Sequence, residues 1–188
     1  MVNVKNNARF LATDQRIEVA ALALMDDSDA ARSISVAAVC RKAGINRSTF
    51  YEHFIDLDDM FAAMQEYLNA ELAEQFQRAD MHEPLSENSL RIYLSHIRQH
   101  RYFYRITLKH SHRLPLDLGG EELWKQRIRP AGERIGITSD NELVYFRDAL
   151  LSSFSAVLQR WIANDCADDI ERITLIVANI IPLGIAEI

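Results

Sequence analysis

Asn46, Arg47, Ser48 and Thr49 form an unbroken polar run, with Tyr51 and His53 just beyond it and Phe50 and Phe54 interleaved. Each polar member offers a hydrogen-bonding group, and one carries a permanent planar charge. That chemistry suits the recognition of phosphates and base edges better than the making of bonds. The guanidinium fork of Arg47 matches the paired acceptors of guanine. Ser48 and Thr49 are small enough for close approach, and the Thr49 methyl suits a thymine methyl. Tyr51 and His53 fit phosphate contacts, which set position and carry no direct sequence information. Packing of Tyr51 against the first helix is the bland alternative. Arg41 and Lys42, a few residues upstream, can steer by charge or be ordinary exposed cations.

Other chemistries find less in the chain. There is no glycine-rich phosphate loop, no nucleophile elbow and no carboxylate pair at a telling spacing, so an enzyme is not expected. His96 and His100 stand four residues apart, with His110 and His112 soon after. The first pair can set two imidazoles on one zinc ion. No Glu-x-x-His sequence or cysteine pair completes the set, so neither a metal nor any other cofactor is expected, and the pair reads as surface or pocket-lining histidines. Cys40 and Cys166 make no disulfide framework. Cys40 reads as a small buried thiol, whereas Cys166 falls in the polar stretch 164–168, where a redox role has no support from the surrounding residues.

The polar run needs a scaffold. A first helix is expected from Thr13 or Asp14 to Met25, with Ile17, Ala20, Ala21 and Leu24 on one stripe. The acidic residues 26–29 stop it. Ser35 is a good N-cap for a second helix, Val36 to about Ala43, with Val36, Val39 and Cys40 inward. Gly44 follows where a left-handed backbone is wanted. Asn46 then caps a third helix of about two turns, its anchor Phe50 and Phe54 and its leading edge the polar run. Asp56 caps a fourth, with Asp59 in its first turn, reading on to about Phe76. A helix, a glycine turn and a short helix with a polar tip is the arrangement that places a helix in a DNA major groove.

Beyond a break at 80–86, helices are expected at about 87–99, 101–112, 120–135, 139–164 and 168–184, with Pro130 kinking or ending the third of these. The helix from Glu142 to Ala163 has two adjoining apolar stripes, a wider face than an ordinary surface helix buries. The next helix is similarly apolar. Two such helices from each of two subunits would make a four-helix dimer seam, with Leu151, Leu158, Ile162, Ile173, Ile176 and Ile180 as candidate contacts; a fully internal helix pair in a monomer is the alternative. Tyr93, Phe103, Tyr104, Trp124 and Phe146 are candidate pocket residues, although aromatics at such positions are more often plain core.

The fold class expected is therefore all-α. The division expected is a three-helix DNA-binding domain at 10–56 and a helical ligand-binding and dimerisation domain at 57–188. Net charge is −6 over 188 residues, which argues against a chain that coats nucleic acid non-specifically. The charge is uneven: 32–54 holds four basic residues against one acidic, and 55–188 holds 14 against 21. A modest basic patch on an acidic body suits a DNA-reading head joined to a body with another task. The apolar stretch 173–188 is interrupted and short for a bilayer span, so no membrane partner and a cytoplasmic location are expected.

Residues 34–54 resemble the TetR family of bacterial transcriptional regulators, on the run Arg47-Ser48-Thr49-Phe50-Tyr51-Glu52-His53-Phe54 and the helix before it; the likeness covers about 13–70. Tyr102-Phe103-Tyr104-Arg105 and the helix with Trp161-Ile162 are similar to the branch that includes dihydroxyacetone-kinase regulators. The resemblance implies an all-helical homodimer. Its heads bind a partly palindromic double-stranded DNA operator, and its body often encloses a small-molecule effector, most often as a repressor released by an inducer. It carries DNA contacts to Ser35, Asn46, Arg47, Ser48, Thr49, Tyr51 and His53. Two departures bear on this. Leu57 stands where the family usually has a phosphate-touching lysine, and a glycine-aromatic pair usual after the first helix is absent. With the acidic body, the first departure motivates a second reading: a coactivator or protein-interaction module that keeps the fold and binds DNA weakly or not at all.

Overall fold

The computed structural model describes residues 8–26, 34–79, 86–111 and 120–183. Expectations for the acidic stop at 27–29, the break at 80–85, the separator at 112–119 and the side chains of His110, His112 and Ile180 lie outside the described residues. Among the described residues every regular element is helical: α1 (Ala8–Asp26), α2 (Val36–Ala43), α3 (Arg47–His53), α4 (Leu57–Arg78), α5 (Glu87–Gln99), α6 (Arg101–Ser111), α7 (Gly120–Leu123), a π-helical turn (Trp124–Ile128), α8 (Arg129–Arg134), α9 (Asp140–Ala163) and α10 (Ile170–Leu183). The chain divides into two compact units, Met1–Ala70 and Glu71–Ile188, and α4 runs across the division.

In the first unit α1 packs on α2 and α2 on α3. The stripe of α1 delivers Ile17, Ala20 and Ala21 to a core shared with Val39, Cys40 and Phe50. Leu24 is only half-buried. Helix α1 starts at Ala8, several residues before the expected Thr13 or Asp14. Ala8, Phe10, Leu11 and Ala12 do not oppose a helix, and Phe10 extends the buried stripe by one turn above Asp14 and Ile17. The Asp56 cap forms: its Oδ1 accepts from the Asp59 N–H at 2.8 Å, while Asp59 Oδ2 reaches back to the Ile55 N–H at 2.8 Å. One donor that the helix start would leave unpaired is thus satisfied, and the N–H of the residue before the cap is held as well.

In the second unit α10 packs on both α5 and α9, and α6 packs on α9. Helical backbone continues past Pro130, in three pieces rather than one: α7, the π-helical turn and α8. Pro130 sits in the first turn of α8, directly after the π-helical turn. Proline removes one rung of the helical ladder, and a wider turn just ahead of it accommodates the lost bond. Between α9 and α10 the backbone turns through two left-handed residues that are not glycine, Asp165 (φ 54°) and Cys166 (φ 52°). That strain is held from several sides. The Trp161 indole N–H donates to the Asp168 carbonyl at 3.1 Å, the Cys166 N–H donates to the Trp161 carbonyl at 2.9 Å, and Arg105 Nη1 meets Asp165 Oδ1 at 2.9 Å. Cys166, placed by sequence in an open polar stretch, is buried, because the turn folds its side chain inward.

Candidate nucleic-acid interface

The polar run sits on a head fixed by local caps and by long-range ties. Ser35 Oγ accepts from the Ala38 N–H at 3.3 Å and opens α2. Gly44 ends α2 with φ 65°, in the left-handed region, and its N–H and that of Ile45 both return to the Cys40 carbonyl. A guanidinium then reaches across from α1: Arg16 Nη2 donates to the carbonyls of Ala43 at 2.6 Å and Gly44 at 3.3 Å. These are the carbonyls that a helix end leaves without partners, and the positive charge lies at the negative end of the α2 dipole. The turn that sets α3 against α2 is therefore clamped by a residue 27 positions upstream.

On this base, Phe50 is fully buried and points α3 inward. Arg41, Lys42, Asn46, Arg47, Ser48 and Tyr51 are exposed, and Thr49 is half-buried. Asn46 is the N-cap residue by backbone (φ −80°, ψ 157°), but its side chain makes no capping bond. The expectation that its amide serves first as a cap gives way: the amide is left at the exposed tip. Arg16, Arg41, Asn46 and Thr49 line a shallow concavity beside the α2–α3 turn. Tyr51 is 58% exposed, with its ring edge-on to Phe50.

His53 is the exception among the expected contacts. Its side chain is 4% exposed. Nδ1 lies 2.5 Å from Asp14 Oδ1, and the ring stacks on Phe10 with centroids 3.7 Å apart. A carboxylate can only accept, so Nδ1 holds the proton of this bond. The expected phosphate role for His53 is corrected to a packing one: the ring is enclosed by two residues one turn apart on α1. Sequence reading missed both Phe10 and Arg16: it started α1 too late for the first, and the partners of the second lie 27 and 28 residues away, where no local signal marks them. Leu57 opens α4 and is half-buried, so the position usual for a phosphate-touching lysine carries no charge.

The aromatic residues of the body divide by burial. Tyr93, Phe103 and Tyr104 are buried, Trp124 and Phe146 half-buried. Tyr93 meets Phe154, and Tyr104 faces the His96 ring. The Trp124 ring carries two guanidinium groups, Arg129 and Arg147, each 5.9 Å from its centroid, while Phe146 lies where α8 meets α9 at Gly132. Burial pushes the Tyr104 phenol up to about 12. Of the expected seam residues, Leu158 and Ile162 are 0% exposed and Ile173 is 6% exposed, all within the chain's own core. They have almost no area left for a partner, so as direct contacts they are corrected to core. Leu151 is half-buried and Ile176 exposed. Further apolar exposure on these two helices comes from Val144, Tyr145 and Leu175.

His96, expected at the surface or lining a pocket, is 1% exposed. Burial, with His100 adding to it, pushes its imidazole down to about 4. Its ring centroid is 4.7 Å from that of His100, whose Nε2 lies 3.1 Å from Glu71 Oε2 on α4.

The class of protein these features define is an all-helical chain with a helix-turn-helix head and a helical body. A solved structure of that architecture, a dihydroxyacetone kinase operon activator, DhaS, is similar to this chain over 93% of its length and 97% of that protein's, with 20% sequence identity and a TM-score of 0.51. A likeness at that identity is one of fold. No family model and no curated sequence matches the chain. No helix among the described residues is long and apolar enough to cross a membrane.

Proposed function

We propose that this chain is a TetR-like transcriptional regulator that reads a partly palindromic operator as a homodimer and responds to a small-molecule effector. The observation that carries this reading is the exposed tip of α3: Asn46, Arg47 and Ser48 project from a buried Phe50 anchor, with Arg41 and Lys42 alongside. Two such tips would enter successive major grooves about 34–36 Å apart. Arg47 reads a guanine, Thr49 a neighbouring thymine methyl, and Tyr51 holds a phosphate. Ser35 is occupied in capping α2, and its backbone and hydroxyl lie beside the phosphate track. The exposed apolar residues on α9 and α10, Val144, Leu175 and Ile176, supply the faces from which a partner subunit would be covered. An effector in the body releases the DNA only by binding one arrangement of the heads better than the other.

Operator selection from a random duplex pool, followed by gel shifts with wild type and Arg47→Ala, tests the proposal. Arg47→Ala is expected to lower affinity by about 1–3 kcal/mol and to blur one base position in each half-site. An unchanged selected motif removes Arg47 from the readout. A pool from which nothing is enriched removes sequence-specific binding altogether.

A second reading has its own support. The similar structure is named an operon activator, and Leu57 withholds one phosphate contact. Under this reading the protein works mainly by touching other proteins, as a coactivator with weak or no DNA binding. Absence of retention in the same gel shifts, repeated across salt concentrations, favours it. A reporter driven by a selected operator separates activation from repression.

A further inference from the structure

We propose that Glu71, His96 and His100 form a site for a divalent transition metal of the zinc class, with a fourth position left to water or another donor. The three side chains place one ligand atom each within 4.8 Å of the others. His96 and His100 share a face at the end of α5 by their spacing of four. Glu71 comes from α4, the neighbour that the histidine pair lacks in the local sequence.

The strongest observation is His96 itself. It is 1% exposed, and neither ring nitrogen has a hydrogen-bond partner. Buried imidazoles are normally paired, and leaving one unpaired is unfavourable. A metal ion supplies the missing partner to one nitrogen. The carboxylate is already oriented: Glu71 Oε1 accepts from Gln75 Nε2 at 3.2 Å and from Gln99 Nε2 at 3.4 Å, leaving Oε2 toward His100. Outer partners of this kind fix a ligating group and tune its affinity.

Two nitrogens and one oxygen suit zinc and its neighbours, whereas magnesium and calcium want shells of oxygen. A tetrahedral zinc with bonds of about 2.0–2.2 Å holds its donors about 3.3–3.6 Å apart, so donors within 4.8 Å of one another need to draw in by about 1 Å to close the site. Three protein ligands with one position open differ from the sealed, four-ligand pattern of structural zinc sites.

The test uses the full chain without an affinity tag, stripped with a chelator. Zinc chloride alone is titrated by calorimetry, and cobalt(II) absorbance reports four-coordinate geometry. One ion per chain is expected, with a raised melting temperature. Glu71→Gln and His100→Gln are each expected to weaken binding at least a hundredfold. Gln75→Ala is expected to weaken it about tenfold, through carboxylate orientation alone. His96→Gln is judged only if its helical signal matches wild type; otherwise Glu71→Gln and His100→Gln decide. Folded, stripped protein that takes up no zinc overturns the proposal. So does uptake that both of those variants retain, because the ion would then lie on other histidines. No readout involves DNA, so this site and the regulatory reading stand or fall separately.

Discussion

Arg16 Nη2 lies 2.6 Å from the carbonyl oxygen of Ala43, and this contact ties the first helix of the head to the end of the second. The same guanidinium reaches Gly44, whose left-handed backbone turns the chain toward the α3 tip. Arg16→Met keeps much of the aliphatic stem and removes the donor. It is expected to destabilise the head by about 1–2 kcal/mol, read by urea unfolding. Arg16→Lys retains charge without the fork and should lose less. A melt unchanged in Arg16→Met would mean that the carbonyls are served equally well by water.

His53 and Tyr51 lie two residues apart on α3 and face different surroundings, so their variants should separate when operator affinity is set against head stability. Each phosphate neutralised by a cationic side chain contributes a slope of about −0.9 in log K against log salt concentration on duplex DNA, and a neutral hydroxyl contributes none. Tyr51→Phe is expected to weaken operator binding, since its exposed hydroxyl is the contacting group. His53→Gln is expected to leave the slope unaltered and to lower head stability by about 1–3 kcal/mol, through loss of the Asp14 bond and the Phe10 stack. A slope that falls by about one in His53→Gln would return that residue to the phosphates.

Gly132 on α8 is a close-approach glycine. A Cβ built there meets Leu143 Cδ2 at 2.3 Å. Leu143 is itself fully buried, so it has little room to retreat. Gly132→Ala is expected to destabilise by about 1–3 kcal/mol, as overpacking does. The double variant Gly132→Ala, Leu143→Ala should lose less than the sum of the single losses, and strict additivity in urea unfolding would show that the two do not clash.

Both thiols are inside. Cys166 is 2% and Cys40 4% exposed. Burial, reinforced by Asp165, pushes the Cys166 thiol up to about 11, and burial raises that of Cys40. Neither should react with a thiol reagent at neutral pH until the protein unfolds, and rapid labelling of native protein would contradict this. The pH dependence has a definite sign. Between an unfolded value of about 9 and the folded value of about 11, the folded chain holds a proton that the unfolded chain has released, so stability falls as pH rises. Wild type should therefore lose stability more steeply over that window than Cys166→Ala.

The local features of the head were legible in the chain. Ser35, Gly44 and Asp56 act on backbone groups within a few residues of themselves, so type and spacing suffice to place them. The stripe of Ile17, Ala20 and Ala21 likewise announces which side of α1 is buried. Asn46 shows the limit of this: its position was legible, but its side chain was free to choose, and it left the cap.

What only the tertiary structure decided concerns pairs far apart in sequence. Asp14 meets His53 across 39 residues, Arg16 meets Ala43 across 27, and Glu71 completes the set begun by His96 and His100. An amphipathic pattern says that a face is covered and is silent about what covers it. That is why Leu158, Ile162 and Ile173 read equally well as a seam between subunits and as the core they occupy. The chain by itself fixed which residues could recognise, cap or ligate. Packing decided which of them remain at the surface to do so, because burial is a property of neighbours and spacing carries no record of them.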